Sequence, residues 1–70
     1  MIAFELEGKE FIELNRLMKL LSVVNSGGEA NMFITNGDVT VNGEVETRKR
    51  HKIRAGFEVK FNGETIVVKA

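Results

Sequence analysis

No cysteine occurs among the 70 residues, which excludes a disulfide, a thiolate nucleophile and a cysteine-ligated metal. Tryptophan and tyrosine are missing too, and the five phenylalanines mostly fall on apolar faces. A stacking platform for single-stranded bases is therefore poorly supported. The only histidine, His51, cannot build a metal site alone, and no serine or carboxylate spacing marks a catalytic triad. No Gly-rich phosphate loop of the nucleotide enzymes is present, so neither catalysis nor a cofactor is expected. No apolar run approaches the roughly 20 residues that span a bilayer. The N-terminal stretch Met-Ile-Ala-Phe-Glu-Leu-Glu lacks the basic flank of a secretion signal. Cytoplasmic residence and no membrane partner are the expectation.

Excess charge is absent as well: ten basic and ten acidic side chains cancel. Their distribution is more informative than the total. Residues 1–47 carry three basic side chains (Lys9, Arg16, Lys19) against eight acidic ones, a net of −5, and residues 48–70 carry seven against two, a net of +5. Such asymmetry points to a polar partner surface. Hydrophobic residues make up 43% of the chain, enough for one small globular domain over residues 1–70.

The apolar pattern divides the chain. Ile2, Phe4 and Leu6 alternate with Ala3 and Glu5, as in a short strand at a sheet edge. From about Glu10 to Leu21 the period changes: Phe11, Leu14, Leu17, Met18 and Leu21 predict a helix with one apolar face. A second helix opens at Ser26, where Ser26 and Glu29 have capping-box spacing, and closes at Asn36-Gly37. Ala30, Phe33 and Ile34 share one of its faces. With a short connection between them, the two helices should pack as a pair.

Strands follow. Asn62-Gly63 predicts a two-residue hairpin pairing Phe61 with Glu64, Val59 with Ile66 and Phe57 with Val68. Asn42-Gly43 carries the same signal, but a two-residue turn there would put Glu44 and Glu46 on the Val39/Val41 face. A longer loop or a bulge is therefore expected. Ala55-Gly56 reads as a turn before the last hairpin.

The chief candidate for function is the basic run Arg48, Lys49, Arg50, Lys52 and Arg54. Such a cluster can neutralise several phosphates and release their counterions, and arginine fits phosphate oxygens two at a time. A solvated loop without a partner has the same composition, but Ile53 within the run suggests anchoring to the core. Gly27-Gly28 would let an anion approach the start of the second helix, or would serve only a tight turn or close packing. Asn15, Arg16 and Lys19 form a polar stripe on the first helix, either a nucleic-acid contact or a solvated face with a Glu13–Arg16 pair. His51 could touch a base or sugar, or simply sit in the loop. The shape and backbone of a structured RNA suit these features better than a single strand does.

With the helix pair, Val39-Thr40-Val41-Asn42-Gly43 and Arg54-Ala55-Gly56 in place, the sequence resembles the S-four RNA-binding domain, the alpha-L motif. That module is named after a small-subunit ribosomal protein and also occurs in RNA-modifying enzymes and tyrosyl-tRNA synthetase. The likeness spans roughly residues 13–59, through Ala30, Ile34, Gly37 and the Val39–Gly43 strand. The helix start at Ser26-Gly27-Gly28 and the segment Glu46-Thr47-Arg48-Lys49-Arg50 look most like its small, stand-alone bacterial ribosome-associated branch. The resemblance implies RNA binding by the helix pair and the adjacent strand loop. It places Lys19, Arg48, Lys49, Arg50 and Lys52 at basic contact positions. Gly27, Glu13 and Asn31 stand where the family commonly carries a positive charge, which implies weaker affinity or a narrower contact surface.

The expected architecture is α+β: two antiparallel helices on a small, bent, mainly antiparallel sheet of about four to five short strands. The expected activity is non-catalytic binding of structured RNA, ribosomal RNA first, by a monomer. Arg48, Lys49, Arg50 and Lys52 would grip phosphates, while Lys19 and Asn31 contact backbone or base edges. The alternative is a protein-binding adaptor that docks on a ribosome-assembly or RNA-modifying factor through the acidic half, where Glu5, Glu7, Glu10 and Glu13 cluster.

Overall fold

A computed structural model describes residues 1–70. The alternating N-terminal stretch forms β1 (Ile2–Glu5) and a short strand β2 (Ile12–Glu13) runs directly into α1 (Leu14–Leu20). Helix α2 (Gly27–Thr35) is followed by β3 (Val39–Val41), β4 (Glu44–Val45), β5 (Lys52–Ile53), β6 (Glu58–Phe61) and β7 (Glu64–Lys69). Five strands make one sheet in the order β1-β7-β6-β3-β4, and β2 and β5 make a second, two-stranded one. All pairings are antiparallel except β1 with β7. The two helices pack against each other, and the α+β arrangement is the one expected.

The core is built from the apolar faces the periodicities mark. Leu14, Leu17 and Met18 of α1 and Ala30 and Ile34 of α2 meet Val39, Val59, Ile66 and Val68 of the sheet, all buried. Val24 tucks under the connection between the helices. The Phe33 and Phe61 rings meet at 4.9 Å with a 54° tilt, an arrangement that adds roughly 1 kcal/mol to area burial.

Helix α2 begins as its sequence specifies. The Ser26 hydroxyl accepts from the Glu29 N–H at 3.1 Å, a cap worth about 1 kcal/mol. The return bond is displaced by one residue, because the Glu29 carboxylate accepts from the Asn25 N–H. Gly37, at φ +82°, turns the chain out of the helix toward β3.

Two expectations are corrected. The first helix starts at Leu14, not near Glu10, because Ile12 and Glu13 pair with Ile53 and Lys52 of β5. Phe11 thus lies ahead of the helix despite falling in its period. The Asn42-Gly43 turn is tight after all: Val41 pairs with Glu44, Thr40 with Val45, and both turn residues have positive φ. Its consequence is the one that argued against it. Val45 is 61% exposed and Glu46 is buried, with the Glu46 N–H donating to the Val39 carbonyl. The second hairpin has the predicted register at Phe61–Glu64 and Val59–Ile66, and the Val68 N–H donates to the Phe57 carbonyl.

Candidate nucleic-acid interface

The segment between β4 and β6 is held at both ends and in the middle. At its start, Arg48 reaches back to Glu46. Its Nε donates to Oε2 at 2.9 Å, its Nη2 to Oε1 at 3.0 Å, and its backbone N–H to Oε2 at 2.9 Å. His51 Nε2 lies 3.6 Å from Oε1 of the same carboxylate. This is why a glutamate can sit on the valine face of β3–β4. Hydrogen bonds from Arg48 hold its carboxyl down at about 2 against the opposing effect of burial. Charge-assisted, two-pronged bonds of this kind fix direction as well as distance.

In the middle, the segment docks on the start of α1. The Leu14 N–H donates to the His51 carbonyl and the Asn15 N–H to the Lys49 carbonyl, both at 3.0 Å. Two of the donors that a helix start leaves open are thereby satisfied by the basic loop itself. Ile53 then enters the core with no exposure. Lys52 and Arg54 flank the Phe11 ring, with Lys52 Nζ at 4.9 Å and Arg54 Cζ at 5.7 Å from its centroid.

A concavity of about 520 Å³ results, lined by Arg48, Arg50, His51, Lys52, Arg54 and Phe57. The His51 and Phe57 rings are 6.4 Å apart and inclined by 31°. Arg48 keeps 72% of its side chain exposed despite its bond to Glu46. Arg54 approaches the exposed Glu10 carboxylate only at 4.0 Å, an ion pair of little energetic weight. The chemistry on offer is multipoint binding of a polyanion beside two rings.

Of the six predicted contact residues, Arg48, Arg50 and Lys52 share this groove. The other three lie around the helix pair. Lys49 is tied through its carbonyl to Asn15, whose Nδ2 donates to Asn31 Oδ1 across the helices at 3.0 Å. Lys19, one turn beyond Asn15 on the same face, is exposed. Arg16 does not belong with them: it lines a separate groove against β1, and no Glu13–Arg16 ion pair forms among the chain's salt bridges. A Cβ built on Gly27 meets nothing within 4 Å, and one on Gly28 meets only Ser26 Oγ at 3.9 Å, so neither glycine is required by close packing. Sequence reasoning passed over Glu46 and Phe57. The signal for Glu46 was the awkward register of the first hairpin itself.

The sequence signature of the S4 domain matches residues 4–69. The chain belongs to the S4 domain family. An Escherichia coli relative named "Putative RNA-binding protein YbcJ" is 44% identical over 70 residues, covering the whole of both chains. In Bacillus subtilis, a protein named "Probable ribosome maturation protein RlbA" is 37% identical over 54 residues, 77% of this chain and 76% of its own. The solution structure of E. coli YbcJ, described as revealing an alpha-L motif involved in RNA binding, superposes with a TM-score of 0.78, covering all of this chain and 89% of that one. This S4 domain therefore has the alpha-L fold expected of it. No helix in it is long and apolar enough to cross a membrane.

Proposed function

We propose that the chain binds structured RNA without catalysis, that ribosomal RNA is its target, and that residues 1–70 act as one cytoplasmic, monomeric RNA-binding unit. The observation that carries the reading is the basic groove, held to the first helix by two backbone bonds and to the core by Ile53. A pre-organised set of cations gives up less conformational entropy on binding than a mobile loop. Arg48, Arg50 and Lys52 grip consecutive phosphates from the groove. Lys49, Lys19 and Asn31 extend the contact over the helix pair toward a second stretch of backbone. The ribosomal target is supported by the naming of the B. subtilis relative as a ribosome maturation protein.

The test is equilibrium binding of the full chain to a folded ribosomal RNA fragment and to an unstructured RNA of equal length, across a salt series. About four phosphate contacts predict a log–log salt slope of about −3 and tighter binding of the folded RNA. A salt-independent curve, or equal affinity for both RNAs, refutes the reading.

A further inference from the structure

We infer that the open edge of β1, with the groove beside it, docks an extended, cationic segment of a protein partner. This inference does not depend on the RNA reading, because it uses the opposite charge and a separate groove, which meets the basic one only at Phe11.

Strand β1 ends the five-stranded sheet, so one of its sides has no neighbour. The Leu6 N–H donates to the Lys69 carbonyl at 2.8 Å. By strand alternation Ile2 and Phe4 also face β7, while the backbone groups of Ala3 and Glu5 point to the open edge. Unpaired edge groups are a ready template for one more strand. Beside the edge lies a groove of about 440 Å³ between β1 and α1. Phe4, Phe11 and Leu20 supply its apolar surface, and Leu20 is 56% exposed with nothing covering it.

Charge selects the occupant. Glu5, Glu7 and Glu13 line the groove, and none of the three takes part in an ion pair within the chain. Lys9 and Arg16 also reach it, leaving it net negative. Across residues 1–13, four glutamates stand against one lysine. A strand alternating apolar and basic side chains satisfies such a surface. Its backbone pairs with Ala3 and Glu5, its apolar side chains enter the groove, and its cations meet the three free carboxylates.

The test uses the isotope-labelled full chain, titrated in an NMR experiment with a short peptide alternating lysine and valine, and with its matched glutamate–valine counterpart. The lysine peptide should shift the amides of residues 2–7, 11 and 16–20 most and leave those of residues 48–50 and 57 in place, while the glutamate peptide shifts neither. Leu20→Asp, and the double change Glu5→Lys with Glu7→Lys, should each weaken the lysine peptide about fivefold or more. Ala3→Pro, which removes an edge donor on a strand position that tolerates proline, should abolish the edge shifts. If Ala3→Pro disturbs the fold, the exposed Leu20 and glutamate changes still decide the matter. Equal response to both peptides, no response at millimolar concentration, shifts confined to the basic groove, or self-association through β1 would each overturn the inference.

Discussion

Replacing Glu46 by glutamine keeps the shape of the side chain and removes its charge. The carboxyl titrates at about 2 in the folded chain against an ordinary 4.5, a difference that would correspond to about 3 kcal/mol if fully realised. Arg48, the main cause, is 72% exposed and water screens the pair, so we expect about 1–2 kcal/mol. For a domain of this size that is a fall in Tm of about 5–15 °C at neutral pH. The pH dependence carries the diagnosis. A depressed carboxyl contributes stability that is complete above its unfolded pKa and is lost as pH falls through its folded value. The gap between wild type and Glu46→Gln should therefore be constant from neutrality down to about 4.5 and close progressively toward about 2. Urea unfolding of both proteins at a series of pH values measures it. A gap that stays the same from neutrality to pH 3 would mean that the glutamine disturbs packing, and that the bonds to Arg48 do not supply the stability.

Three further perturbations separate the parts of the molecule. Changing Arg50 and Lys52 together to alanine, with Arg48 kept because it holds Glu46, should leave the chain folded by circular dichroism and make the RNA salt slope shallower by about 1.5. Ile53→Ala empties a fully buried site and should cost about 2–4 kcal/mol in denaturant unfolding, with RNA affinity falling further than stability alone requires because the basic segment loses its tether. Gly37→Ala puts a side chain on a residue at φ +82° whose Cβ would stand 3.5 Å from Val45 Cγ1; the strain should cost about 1–2 kcal/mol, read from the urea midpoint, without changing the salt slope of RNA binding.

The arrangement divides the domain by charge. The cations of the second half are gathered at one groove, and the free carboxylates Glu5, Glu7 and Glu13 line another. Phe11 stands between them, lining the acidic groove while Lys52 and Arg54 lie over its ring. Neutrality in sum thus conceals two surfaces of opposite sign, each suited to a different class of ligand.

Local signals in the sequence were sufficient for the second helix, from its Ser26 cap to its Gly37 exit, and for the Asn62-Gly63 hairpin, because these are fixed by bonds between residues close in the chain. The basic run could be read directly, and Ile53 stood out in it as the one apolar residue among cations. Tertiary structure alone decided where that run goes. The start of the first helix was set by a strand partner some forty residues away, and a helical period cannot register a distant pairing. The burial of Glu46 depended on Arg48 and His51 folding back over it. Alternation counts a glutamate on an apolar face as an error, since nothing in a periodic pattern reveals that a counter-charge will arrive to neutralise it.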